Sequence, residues 1–186
     1  GFVLEIGCGE GDLGQAIVNK QTITTYDRLV PQGVLEHFDD PLPYIGYLGI
    51  DYSKLAIQKA LSRHNKVPHP WYSCCDYRDI TPITTYDRLV LQGVLEHLDD
   101  PFTELKWMMD HLLTEKGDVI TSSPCFLNTR GIVWMTLNML GAVMSKTALH
   151  YLNPWEFQEF CDNHGYTMGV EYCDDSWGNS DKMIDD

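Results

Sequence analysis

The chain has 186 residues, 44% of them hydrophobic and 11% aromatic, which is about one domain's length and enough apolar content for a folded core. Its formal charge of −14 offers no basic surface to a nucleic-acid backbone, so a neutral or cationic small molecule is the expected partner. Six cysteines without a CxxC pair or zinc spacing, no signal peptide ahead of Gly1 and no apolar run of membrane-spanning length lead to the expectation of reduced, mostly buried thiols in a cytoplasmic protein.

The opening apolar run, Phe2 to Ile6, stops in glycines and is followed by a helical pattern with Leu13, Ala16 and Ile17 on one face, which predicts strand, tight turn and helix. Tyr47 to Ile50 predicts a second strand, with Ser53 as N-cap of a helix carrying Leu55, Ala56, Ala60 and Leu61. "PWYSCCDYRD" reads as a third short strand ending in acids, and Arg88 to Gln92 as a fourth, with "DPFTELKWMMDHLLTEKG" as the helix behind it and Pro101 in its first turn. "DVITSSPCF" is the predicted fifth strand. "NPWEFQEFCDNHGYTMGVEYC" predicts a helix opened by Asn153 and Pro154, then a sixth strand. Strands alternating with helices at this spacing imply a mostly parallel sheet covered on both faces, with its ligand beyond the carboxyl ends of the strands.

The acid and glycine clusters fall at those ends. "LEIGCGEG" places Gly7, Gly9 and Gly11 where the backbone must turn tightly and admit a ligand closely. A dinucleotide fingerprint would need glycine at position 12, where the chain has Asp12, which disfavours a nicotinamide cofactor. The GxGxG spacing preceded by Glu5 resembles motif I of the class I S-adenosylmethionine-dependent methyltransferases. "CCDYRD" resembles that family's third-strand motif, and "YDRLVLQGVLEHLDDP" the fourth-strand motif of its small-molecule members. "SSPCFLNTRG" and "HYLNPWEFQEFCDNHGY" are similar to the fifth-strand exit and following helix.

The resemblance implies S-adenosyl-L-methionine as cofactor and contacts to it from Glu5, Gly7, Cys8, Gly9, Gly11, Asp51, Tyr52, Asp76, Tyr77 and Gln92. In it Asp51 would hold both ribose hydroxyls, Asp76 would accept from the adenine amino group and Tyr77 would lie near the ring. Candidate bases are His97 and His150, since an imidazole with a pKa near 6.5 suits proton removal at neutral pH. Some relatives hold a divalent ion with a carboxylate and histidine from the fourth-strand exit, but their pattern has another acid where this chain has Gly93. Glu96 and His97 alone under-supply a hard ion with oxygen, so no metal is expected.

Nineteen residues, Ile23 to Pro41, recur as Ile83 to Pro101 with only Pro31 for Leu91 and Phe38 for Leu98. Only the second copy has the neighbours of a fourth strand, and Pro31 would delete a ladder hydrogen bond in a central strand. Removing 19 residues also shortens Gly11-to-Asp51 from 40 to 21, close to the roughly 20 expected between glycine turn and ribose acid. Residues 23–41 are therefore read as an inserted duplicate of 83–101, and Glu36 and His37 are left out of the site. Residues 130–152 carry Ile132, Met135, Leu137, Met139, Leu140, Val143 and Met144, too many apolar groups for one face of a surface helix. They suit a core helix or a methionine-rich lid over an apolar substrate.

The expectation is thus a single Rossmann-like α/β domain over 1–186, a doubly wound, mostly parallel sheet of the class I methyltransferase type, truncated at both ends. Its expected activity is methyl transfer to a small, partly apolar acceptor. The alternative is a catalytically inactive module that retains the cofactor site.

Overall fold

The computed structural model describes residues 1–19, 46–63, 71–80, 85–123, 136, 139–141, 150 and 152–171. The segment 23–41, expected to be an inserted duplicate, and most of the apolar segment at 130–152 lie outside them. Five strands form one parallel sheet: β1 (Phe2–Ile6), β2 (Gly46–Asp51), β3 (Trp71–Cys74), β4 (Tyr86–Gln92) and β5 (Leu113–Ser122), in the order β3-β2-β1-β4-β5. Among the described residues, four helices accompany them: α1 (Asp12–Asn19), α2 (Lys54–Arg63), α3 (Pro101–Leu112) and α4 (Pro154–His164). The second copy of the repeated sequence supplies β4, between β1 and β5.

Side-chain alternation along the strands divides the core in two. Leu4, Ile6, Ile50, Leu89 and Leu91 face one side and pack with Leu105, Met108 and Leu112 of α3 and Phe160 of α4. Val3, Tyr47 and Val90 face the other and pack with Leu13, Ala16 and Ile17 of α1. Strands buried on both faces read as nearly continuous apolar runs, which is why β1 and β4 are so apolar in sequence.

Caps hold the helices where the sequence places them. Asp100 accepts from Thr103 N at 3.2 Å ahead of Pro101, and Asn153 forms a reciprocal capping box with Glu156. Gly165, at φ 73°, ends α4 in the left-handed conformation.

Three local expectations are corrected. The helix after β4 ends at Leu112 rather than running to Gly117, because Leu113 is drawn into the core beside Tyr86, and 114–117 then form an irregularity before regular pairing resumes at Asp118. β3 stops at Cys74, since Asp76 caps a 3-10 turn over Tyr77–Asp79. The predicted sixth strand is not formed over 166–171, where no ladder partner stands beside the chain among the described residues.

Candidate functional site

Because all strands are parallel, their carboxyl ends meet along one edge, and the order of the sheet reverses direction between β1 and β4. Such a switch point leaves a crevice, since the connections on its two sides depart in opposite directions. The loop Gly7–Gly11 leaves β1 at this point. Its three glycines all have positive φ, of 72°, 52° and 81°, and each meets different surroundings. A Cβ on Gly7 would stand 2.7 Å from Val94 Cγ2, one on Gly11 would stand 2.5 Å from Tyr72 Oη, and one on Gly9 would meet nothing within 4 Å. Gly7 and Gly11 therefore serve close packing, while Gly9 leaves its face of the loop open.

Backbone bonds fix the loop: Cys8 N donates to Ile50 O at 2.9 Å and Gly11 N to Cys8 O at 2.9 Å. Burial, reinforced by the Glu5 and Asp51 carboxylates, pushes the Cys8 thiol well above its ordinary range, so Cys8 is a neutral packing group rather than a nucleophile.

Glu5 lies under the loop. It is 3% exposed on the face shared with Tyr47, whose hydroxyl donates to Glu5 Oε2. Burial raises its pKa from 4.5 to about 7; the Tyr47 bond opposes this, while Asp12 and Asp51 add to it. With the folded pKa above the unfolded one, folding takes up a proton between these values. The contribution is fully present below pH 4.5 and is lost as pH rises through about 7, a fall of roughly 3 kcal/mol. Urea unfolding of the wild type should show this loss between pH 5 and 8, and Glu5→Gln should abolish it. An equal pH dependence in both proteins would assign the effect elsewhere.

Asp51 closes β2 and joins it to the glycine loop. Its Oδ2 accepts from Gly9 N at 3.0 Å and its Oδ1 from Ser53 N at 2.7 Å. A carboxylate oxygen can accept two hydrogen bonds, and each oxygen of Asp51 accepts one of these two. Tyr52 next to it is 89% exposed, and Ser53 Oγ accepts from Ala56 N at 3.3 Å as the cap of α2. From α2, Lys59 and Arg63 reach back to Glu10, at 2.7 Å each, and Arg63 also to Asp12 at 2.8 Å. These ion pairs are partly exposed and individually weak, but they fasten the loop to α2 at several points.

At the end of β3, Asp76 Oδ1 accepts from Arg78 N at 2.8 Å. Tyr77 is buried in the larger core cluster, with its ring edge-on to Trp107 and its hydroxyl donating to Glu104 at 2.6 Å. Its side chain is thus engaged with α3. Gln92, half-buried, ends β4 paired with Ser122, and Gly93 follows at φ 63°.

The β4 exit then turns through Leu95–His97. Glu96 is 4% exposed, and its Oε2 accepts from Ser123 Oγ at 3.2 Å, tying the β4 and β5 exits together. His97 is exposed on the same turn. His150 N donates to Glu96 O at 3.1 Å and its Nε2 lies 3.0 Å from Asp99 O, so both candidate bases share this wall. No group of three or more His, Cys, Asp or Glu positioned to hold a metal occurs among the described residues.

A family profile described as a methyltransferase domain matches residues 4–119, from β1 into β5. The chain belongs to the methyltransferase-domain family. Solved structures share the fold of this methyltransferase domain. A putative methyltransferase from Bacillus halodurans C-125 aligns with a TM-score of 0.59 at 13% identity, over 91% of this chain and 64% of that one. Magnesium protoporphyrin IX methyltransferase from Synechocystis PCC 6803, with bound SAH, aligns at 0.58 and 17% identity, over 90% and 65%. The plantazolicin methyltransferase BpumL in complex with SAH aligns at 0.50 and 20% identity, over 88% and 55%. The chain therefore spans between about half and two thirds of the length of these structures. Comparison with curated proteins returns no match.

Two residues that fix the strand-end loops of this methyltransferase domain escaped sequence reasoning. Tyr72 donates to Gly11 O at 3.0 Å and stands edge-on to Tyr47, sealing the back of the loop. Period-two alternation puts Tyr72 on the α1 side of β3, but nothing local says that it reaches across β2 to Gly11. Glu104 reads as an ordinary polar helix position until the fold brings it to Tyr77 and Arg78.

Proposed function

We propose that the domain binds S-adenosylmethionine across the carboxyl ends of β1, β2 and β3 and transfers its methyl group to a small, partly apolar acceptor entering beside β4 and β5. The observation that carries this reading is Asp51, which holds Gly9 and Ser53 with one donor on each oxygen and keeps a second acceptor position on both for a ribose diol. Gly9, whose added Cβ would meet no atom, lets a ligand lie directly against the loop. Asp76 supplies the acceptor for the adenine amino group, and Gln92 and Gly93 line the approach to the acceptor side.

The cofactor supplies a methyl carbon on a positively charged sulfur that departs as a neutral thioether. The protein's share is then mainly orientation and exclusion of water. Where the acceptor carries a proton, His97 or His150 takes it up from the β4-exit wall.

Gly9→Ala separates binding from folding. The methyl group strains a positive φ at a cost of about 1 kcal/mol, yet it collides with nothing in the protein. The melting temperature should stay near that of the wild type while affinity for S-adenosylhomocysteine falls about tenfold or more. Unchanged affinity in a folded variant would place the ligand away from this loop. Saturable binding with no methylated product in a broad metabolite screen would favour a module that keeps the cofactor and not the reaction.

A further inference from the structure

Arg78 stands between two carboxylates. Its Nη2 donates to Glu104 Oε1, its Nη1 lies 3.9 Å from Asp76 Oδ2, and its guanidinium carbon sits 4.7 Å from the centre of the Tyr77 ring. Glu104 comes from the first turn of α3, and its other oxygen accepts from Tyr77 Oη at 2.6 Å. One helical carboxylate thus holds two consecutive residues of the 3-10 turn that Asp76 opens. At 3.9 Å the guanidinium is too far from Asp76 Oδ2 for a hydrogen bond, while Asp76 Oδ1 is engaged by Arg78 N.

From this geometry we infer that Glu104 is a positioning residue for purine specificity: by anchoring the Arg78 guanidinium it keeps Asp76 Oδ2 available to the 6-amino group of the cofactor's base. The inference rests on the cofactor reading above. Arginine has five donors and no acceptor, so once Glu104 is removed Asp76 becomes the carboxylate within its reach. A guanidinium seated on Oδ2 both occupies the acceptor and cancels the charge that attracts an amino group and repels a 6-oxo group. The distinction between adenine and hypoxanthine is then lost at its source. A merely structural Glu104 would weaken both bases alike by loosening the turn.

The test titrates S-adenosylhomocysteine and its 6-oxo analogue, S-inosylhomocysteine, by calorimetry into the wild type, Glu104→Ala, Arg78→Gln and the double variant, with thermal melts alongside. The wild type should prefer the adenine compound by about tenfold or more, the worth of one hydrogen bond to a charged acceptor. Glu104→Ala should bring the ratio to within about threefold, and removing Arg78 as well should restore the preference. Arg78→Gln alone should keep it. Should the alanine variant not fold, Glu104→Gln, which preserves volume and loses the charge, is read in the same way.

A preference unchanged in a folded Glu104 variant overturns the inference, as does a lost preference that the double variant fails to regain. If a folded wild type binds neither compound, the cofactor reading itself fails, which the wild-type titration shows before any variant is compared.

Discussion

Asp51→Ala is expected to raise the dissociation constant for S-adenosylhomocysteine by at least about a hundredfold, the largest binding effect of any single substitution here. Two contributions combine. The ribose loses its paired acceptors, each hydrogen bond to a carboxylate being worth about 1.5–3 kcal/mol. The glycine loop also loses the tie from Gly9 N to Asp51, so the surface against which the ligand lies is no longer fixed to β2. Asp51→Asn should fall between wild type and alanine, because its amide keeps one accepting oxygen and turns a donor toward a backbone N–H. The helix behind it should survive in both variants, since Ser53 Oγ caps α2 independently. Calorimetry with circular dichroism reads the two effects separately. A folded Asp51→Ala that binds as tightly as wild type would remove Asp51 from the site.

The largest expected loss of stability comes from Gly11→Ala. The residue sits at φ 81°, where an L side chain is strained, and its Cβ would come within 2.5 Å of Tyr72 Oη and 2.7 Å of Tyr72 Cζ. Backbone strain costs about 1–3 kcal/mol and the overpacking a similar amount, so the sum is roughly 2–6 kcal/mol. For a chain of 186 residues that corresponds to a fall in melting temperature of roughly 4–24 °C. Tyr72 cannot move aside cheaply, because it is packed edge-on to Tyr47 and bonded to Gly11 O. Gly9→Ala, two residues earlier with no such neighbour, is the internal control. Equal melting temperatures for the two variants would mean that the loop has other room to rearrange.

The sheet was legible in the sequence because its strands are short apolar runs ending in glycine or acid. The assignment of β4 to the second copy was legible because only that copy has a β5 and a helix behind it. Asp51 stood out by its spacing from Gly11 once the 19 residues of the first copy were left out of the count. What was not legible depends on contacts across the fold. The helix boundary lies at Leu112 because Leu113 is buried where it pairs with Tyr86 at the start of β5. Tyr77, placed by resemblance beside the ring, has its hydroxyl on Glu104 and its ring on Trp107, and no local pattern links residue 77 to a helix 27 residues away. Glu5 shows the same limit. An acid in an apolar strand announces itself, but not that Tyr47, 42 residues on, is the donor that makes its burial tolerable.

The central claim is that the carboxyl ends of β1, β2 and β3, beside the crevice at the β1–β4 switch point, hold the adenosyl group of S-adenosylmethionine. Calorimetric titration of S-adenosylhomocysteine into the folded wild-type chain tests it most directly. Saturable binding with one site per chain, lost in Asp51→Ala, is the predicted result. No heat of binding from wild-type protein whose circular dichroism and melting transition show it folded would contradict the account.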